Sequence, residues 1–219
     1  MKPRYHVYFG GSFFPPHIGH DEMLLALLAH PDTFVVHIVP TFQNPLKQIV
    51  GPLEATASFK RRMIEAWLDS LRARNVEGLS KLRVEWIEVD AGRASYTFDT
   101  LSKLQLETRV PRQRWALCLG DDCLQDLDRW KQVEDLLKNV GEVWVFRRGD
   151  SAGSAFLHRI PEILRALTRW RLLIPEIRDV SSTEVRRLLE SRMPDAKREL
   201  QARYLLPELW TLLGESSSG

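Results

Sequence analysis

Gly10-Gly11-Ser12-Phe13-Phe14-Pro15-Pro16-His17-Ile18-Gly19-His20 is the stretch that decides the fold. It follows Tyr5–Gly10, an apolar run of strand length, and leads into His20–Ala29, where Met23, Leu24, Leu27 and Leu28 recur at helical spacing. A glycine-rich turn between a strand and a helix lets the backbone pass close to a bound phosphate. Gly10 and Gly11 have no Cβ to intrude on a ligand. The helix opening near Gly19 and His20 offers free N–H groups at the positive end of the helix dipole. His17 and His20 stand about one helical turn apart, so both imidazoles project to one side. Each can donate an N–H to a phosphoryl oxygen, or add positive charge as a leaving group becomes anionic. Alone, such a histidine pair is more simply structural. With the glycines and prolines around it at a strand–helix junction, the phosphate-site reading is the stronger. No third ligand stands at a spacing diagnostic of zinc, so no metal site is expected.

The same alternation continues outward. Phe34–Pro40 is a second strand, nearly all apolar and expected to be buried on both faces. A loop with Pro and Gly follows, Thr41–Leu53. Ala57–Arg74 is an amphipathic helix with Phe59, Met63, Ala66, Trp67 and Leu71 on one side. Leu82–Val89 alternates apolar and polar residues, which predicts a strand with one wetter face. Thr97–Leu106 is helical, and Arg114–Leu119 is a short strand ending in Gly120-Asp121-Asp122. Helical stretches reach Trp130 and cover Gln132–Leu137, and Glu142–Phe146 is the next strand. Beyond Arg147-Arg148-Gly149 and a Gly/Ser stretch to Ser154, the pattern predicts a helix over His158–Arg169. It then predicts a short strand over Trp170–Ile174, a helix over Ser182–Ser191 and a final helical region over Leu200–Leu213.

Strands alternating with helices predict an α/β fold, a Rossmann-like doubly wound sheet, mostly parallel, with helices on both faces. A single domain is expected over 1–213, with a polar tail, 214–219, expected to be disordered. The strand ends at Gly10, Pro40, Gly120 and Arg147 would line the ligand crevice of such a sheet.

Composition narrows the function. With 44% hydrophobic and 27% charged residues in 219, the chain is an ordinary globule able to bury a core without staples. A net charge of +2 gives no case for a nucleic-acid partner. No apolar run approaches the roughly 18 residues of a membrane span, and Met1–Tyr5 carry no signal region. Cys118 and Cys123 read as reduced thiols, which points to the cytoplasm. No residue pattern sets an oligomeric state.

A second motif lies far along the chain, Val180-Ser181-Ser182-Thr183-Glu184-Val185-Arg186. Ser and Thr are favoured helix caps, and read by itself the segment is a capped amphipathic helix with an exposed arginine. Functionally, the hydroxyls, the helix N–H groups and Arg186 would meet a phosphate tail. The N-terminal string resembles the GGxFxPxHxGH signature of the HxGH nucleotidyltransferase superfamily, with Phe14 where Asp or Asn is usual. Val180–Arg186 is similar to the ISSTxxR signature of the same superfamily. The lysine loop of the class I aminoacyl-tRNA synthetases, which share the fold of the catalytic domain, is absent.

Three further stretches resemble the bacterial nicotinate-nucleotide adenylyltransferases. They are Ser95-Tyr96-Thr97-Phe98-Asp99-Thr100-Leu101, then Gly120-Asp121-Asp122-Cys123-Leu124 followed by Leu127 and Trp130, and Val145-Phe146-Arg147-Arg148-Gly149. In the loop after the second strand, Asn44-Pro45-Leu46-Lys47 stands where the family commonly has Pro-Pro-His-Lys, so Leu46 takes the histidine place.

The resemblance implies an adenylyltransferase that joins the AMP part of ATP to nicotinate mononucleotide in NAD biosynthesis. It leaves nicotinamide mononucleotide open as a second acceptor. His17, His20 and Arg186 are the expected catalytic residues. Gly10, Gly11, Ser12, Phe13, Gly19, Gly120, Asp122, Ser181, Ser182 and Thr183 are expected on ATP. Lys47, Tyr96, Thr97, Trp130 and Arg147 are expected on the acceptor, Trp130 by stacking on the pyridine ring and Thr97 by bonding its substituent. Mg²⁺ would be carried in with ATP. The alternatives are another phosphorylated acceptor, such as phosphopantetheine, or a nucleotide-binding module without catalysis.

Overall fold

Along a strand, successive side chains leave opposite faces of the sheet, so continuous apolar strands must be covered on both sides. The computed structural model describes residues 4–43, 45, 56–148, 158, 160–191, 200, 204–207, 209 and 212–213. Its strands are β1 (Tyr5–Gly11), β2 (Thr33–Pro40), β3 (Leu82–Val84), β4 (Trp115–Gly120), β5 (Glu142–Arg148) and β6 (Arg169–Ile177). They form one six-stranded sheet in the order β3-β2-β1-β4-β5-β6, every neighbouring pair parallel. This is the strand order of the doubly wound α/β fold.

The alternation builds two cores. Val7, Phe9, Val36, Ile38, Cys118, Trp144 and Phe146 share one with Met23, Leu24 and Leu27 of α1 (Ile18–Ala29). The same core takes Met63, Trp67 and Leu71 of α2 (Ala57–Ala73), and Val185 and Leu188 of the last well-marked helix, Ser182–Glu190. Tyr8, Val39, Leu117, Leu119, Val143 and Val145 share the other core with Leu101 and Leu104 of the helix Thr97–Thr108. Leu124 and Leu127 of a 3-10 segment, Asp121–Arg129, and Leu136 and Leu137 of Val133–Lys138 complete it. Within β2, Phe34 departs from the expected burial and is 47% exposed, its ring meeting His6 and the Arg4 guanidinium.

The expected strand over Leu82–Val89 is cut short. It ends at Val84, and Ile87–Ala91 forms a short helix, α3. The reason lies in its neighbour: Val84 pairs with Ile38 and Glu85 donates its N–H to the Ile38 carbonyl. Two residues on, β2 ends at Pro40, which has no N–H to offer a ladder. The chain leaves the sheet there, and Glu88 and Val89 become buried from a helix. The helix Thr97–Thr108 is therefore α4, and Val133–Lys138 is α5.

Of the helix expected over His158–Arg169, α6 covers only Glu162–Arg165. Its last residue instead opens β6, an edge strand longer than Trp170–Ile174. Register slips between Phe146 and Arg148 opposite the part of β6 that carries Pro175, a residue an edge strand tolerates. Ser182–Glu190 is α7. The polar tail 214–219, the Gly/Ser stretch to Ser154, and Leu46 and Lys47 lie outside the described residues. Among the described residues no helix is long and apolar enough to cross a membrane.

Candidate active site

Beyond the last residue of β1 the chain turns through Ser12–Pro16 into α1. Phe13 holds a left-handed φ of 42°. That conformation costs a non-glycine residue about 1–3 kcal/mol. The ring is buried, edge-on to Phe9 and His20 at 5.2 and 4.8 Å and against Trp67, and burying an aromatic ring contributes about 1.5–3 kcal/mol. The two effects offset, and the turn keeps its shape. Phe13 is therefore a floor beneath His20 and does not line the cavity. Gly10 lacks a Cβ for a reason other than ligand approach: one placed there would lie 2.6 Å from Cε1 of Tyr8. At Gly19 a Cβ would come within 3.3 Å of the His17 ring and 3.4 Å of the Arg178 carbonyl. Gly19 makes room for the imidazole and is not itself a cavity wall.

His17 and His20 stack with centroids 3.7 Å apart and planes 24° from parallel. The His17 N–H donates to Nδ1 of His20 at 3.3 Å. With Nδ1 accepting, the proton of neutral His20 is assigned to Nε2. The start of α1 is gripped from α2: buried Asp21 accepts from Trp67 Nε1 at 2.8 Å and from both Arg74 Nη atoms at 2.9 and 2.7 Å.

From the far end of the chain comes α7. Ser181 caps it, its Oγ accepting from the Glu184 N–H at 3.1 Å. Ser182 Oγ donates to the Pro15 carbonyl at 3.3 Å. Arg186 Nη1 donates to the Phe14 carbonyl at 2.7 Å, and Nη2 to Thr183 Oγ1 at 3.1 Å. The N-terminal turn and the Ser-Ser-Thr helix tip thus touch directly. Phe14 is fully buried, edge-on to Phe59, with Lys60 Nζ 4.5 Å from its ring centroid. Lys60 also donates to the Thr41 carbonyl at 3.0 Å. Burial first, and then the Arg186 charge, lower its pKa to about 8.

These elements enclose a cavity of about 460 Å³ at the carboxyl ends of β1 and β4, where strand order reverses and ligands of such sheets bind. It brings together His17, His20 and Arg186 with Gly10, Gly11, Ser12, Gly120, Asp122, Ser181, Ser182 and Thr183. Tyr96, Thr97 and Trp130 line it as well. Arg147, on β5, does not line it, nor do Phe13 and Gly19. Lys47 is outside the described residues.

Three charged wall residues, Arg129, Lys131 and Glu88, escaped sequence reasoning. Lys131 follows Trp130 directly; its Nζ lies 4.9 Å over the Tyr96 ring and pairs with Asp99 at 2.8 Å. Glu88 gave no signal, because it stood within a stretch read as a strand. It is a buried carboxylate on α3, accepting on Oε1 from Thr100 Oγ1 at 2.7 Å and from Tyr8 OH at 3.3 Å. Burial raises its pKa, against the pull of the Thr100, Thr41 and Tyr8 hydroxyls. Among the described residues no group of three His, Cys, Asp or Glu is placed to hold a metal ion.

The family model for cytidylyltransferase-like proteins matches residues 8–188. A "probable nicotinate-nucleotide adenylyltransferase" of Leptospira interrogans is 30% identical over 202 residues, covering 90% of this chain and 92% of its own. A protein of the same description from Myxococcus xanthus is 31% identical over 197 residues, covering 86% of this chain and 84% of its own. The chain belongs to the cytidylyltransferase-like family, among the nicotinate-nucleotide adenylyltransferases. It is a nucleotidyltransferase. The family fold extends to a solved structure, the Plasmodium falciparum nicotinic acid mononucleotide adenylyltransferase complexed with NaAD. That structure has a TM-score of 0.72 at 18% identity and covers 98% of this chain and 97% of its own.

Proposed function

We propose that this adenylyltransferase transfers AMP from MgATP to nicotinate mononucleotide, releasing pyrophosphate, as a step of NAD biosynthesis in the cytoplasm. The observation that carries the reading is the meeting of two remote motifs at one cavity, through Arg186 on Phe14 and Ser182 on Pro15. An anionic phosphate oxygen of the acceptor attacks the α-phosphorus of ATP in line. A new P–O bond forms, the bond to the α–β bridging oxygen breaks, and its electron pair leaves with pyrophosphate. The acceptor is already ionised, so no general base is required, and the chemistry is positioning and charge stabilisation.

In this reading His17 and His20 stand at the α–β bridge, with Nε2–H of His20 as a donor to the departing oxygens. Arg186, Ser181, Ser182, Thr183 and the α7 N-terminus take the far phosphates. Gly10, Gly11, Ser12, Gly120 and Asp122 hold the rest of ATP. Trp130 and Tyr96 flank the pyridine ring, and Thr97 at the start of α4 meets its carboxylate. Mg²⁺ arrives as part of the nucleotide substrate, partly neutralising its phosphates. The free thiols of Cys118 and Cys123 support the cytoplasmic setting.

Incubation with MgATP and, separately, nicotinate mononucleotide, nicotinamide mononucleotide or phosphopantetheine tests the assignment by chromatography of the products. Dinucleotide from nicotinate mononucleotide is expected. Product from phosphopantetheine alone, or from no acceptor, would defeat it.

A further inference from the structure

An exposed ion pair contributes little to stability, so one that joins two walls of a cavity invites a use other than holding the fold. Lys131 and Asp99 are such a pair, 32 positions apart, with side chains 41% and 50% exposed. Lys131 Nζ donates to both Asp99 oxygens, at 2.8 and 3.1 Å, and lies 4.9 Å from the Tyr96 ring centroid. An ammonium has three N–H groups, and at least one of these meets no protein acceptor among the described residues. The chain on either side fixes the residue. The Trp130 N–H bonds the Leu127 carbonyl at 3.1 Å, and the Gln132 carbonyl opens α5 by accepting from the Leu136 N–H at 2.8 Å. Arg129, the cation on the other side of Trp130, pairs instead with Asp126 on its own segment at 2.9 Å. Lys131, Tyr96, Thr97 and Trp130 all line the cavity, so this ammonium stands where the aromatic rings assigned to the acceptor come together.

Nicotinate and nicotinamide mononucleotides differ in one group, a pyridine carboxylate against a carboxamide. Hydrogen-bond donors separate the two poorly: the Thr97 hydroxyl and the N–H groups that open α4 can donate to an oxygen of either. A charge separates them, because only the carboxylate is anionic at neutral pH, and specificity needs a force that acts on one and not the other. Asp99 lies in the first turn of α4. Left uncovered, it would repel a carboxylate bound at the start of that helix. We propose that Lys131, held over Tyr96 by Asp99, reads the charge of the acceptor's pyridine substituent and selects carboxylate over carboxamide. This rests on the function proposed above, with the pyridine ring flanked by Tyr96 and Trp130. The ammonium covers Asp99 and gives its remaining N–H to the carboxylate.

The test uses the intact chain as wild type, Lys131→Met, Lys131→Arg and the double variant Lys131→Met/Asp99→Asn. Calorimetry gives the Kd of each mononucleotide, and kcat/KM is measured for each with MgATP. The quantity read is the preference, the ratio between the two acceptors, which a general loss of folded protein does not move. Methionine keeps an unbranched side chain without the charge. It is expected to lower the preference for nicotinate mononucleotide roughly five- to tenfold, as for a half-exposed charged hydrogen bond. Arginine keeps the charge and should hold the preference within about twofold of wild type. Adding Asp99→Asn to Lys131→Met should return part of the loss, since the uncovered carboxylate is then gone.

A preference in Lys131→Met within about twofold of wild type, with both acceptors weakened together or neither weakened, would overturn the proposal. Wild type separates the two levels. If it makes no dinucleotide from nicotinate mononucleotide, the proposed function fails, and the Kd ratios still judge Lys131. If dinucleotide forms while the preference is unmoved, only the role of Lys131 fails. If wild type binds neither mononucleotide, both fail.

Discussion

Arg186 donates from Nη1 to the backbone carbonyl of Phe14 at 2.7 Å, across 172 positions of sequence. Its second Nη reaches Thr183 on its own helix, so one planar fork holds the turn after β1 and the tip of α7 together. A lysine places a single ammonium where the fork stood and cannot hold both in that geometry. Arg186→Lys is expected to lose turnover by about 10²–10³-fold while circular dichroism still reports the fold. Pyrophosphate release within about threefold of wild type would show that the fork is dispensable.

His20 has two jobs that substitution can separate. Nδ1 accepts from the His17 N–H, while Nε2 is the donor assigned to the reacting phosphates. Asparagine can restore the first bond through its side-chain carbonyl but is too short for the second. His20→Asn and His20→Ala should therefore lose turnover alike, by about 10²–10³-fold. Asparagine should retain the higher Tm. Near-normal pyrophosphate release by either variant removes the histidine from the mechanism.

Lys60 is a buried cation whose pKa falls from 10.5 to about 8. Below pH 8 both folded and unfolded chains carry the proton. Between 8 and 10.5 the unfolded chain holds more of it, so this group's contribution to stability rises with pH. Lys60→Met removes the charge and keeps an unbranched side chain over Phe14. Its urea midpoint relative to wild type is expected to be most favourable at pH 7 and to lose ground by pH 10. A difference that does not change with pH would contradict the assignment.

His6 titrates the other end of the range. Burial, then the charges of His37 and Arg114, pull its pKa from 6.5 to about 4. It is held neutral beside His37, Nδ1 to Nε2 at 3.0 Å. As pH falls from 6.5 to 4 the unfolded chain takes up a proton that the folded chain refuses, and stability drops across that window. Denaturant midpoints measured from pH 7 to 4 should fall less steeply in His6→Leu than in wild type.

Much of this protein is readable along the chain because period-2 and period-3.6 patterns are local. The Gly10–His20 junction and the strands around it lead straight to the doubly wound sheet. The failures share a cause. Leu82–Val89 alternates like a strand, yet its partner strand ends at Pro40, so the chain turns into α3. Phe13 and Gly19 sit inside a ligand-binding motif, yet they serve it by packing beneath His20 and beside His17. Glu88, Lys60 and Asp21 carry no local signature at all. Each is an ordinary polar residue of its stretch until the fold buries it.

The sequence by itself determined which elements form, that they alternate into a parallel sheet, and that two phosphate-type motifs exist, since side-chain periodicity and cap chemistry act over a few residues. Only the tertiary structure decided that Arg186 meets Phe14, that Lys60 loses its solvent, and that Glu88 is buried at the cavity wall. Those outcomes depend on strand order and on where a neighbouring strand stops, and so on contacts between residues that no local pattern relates.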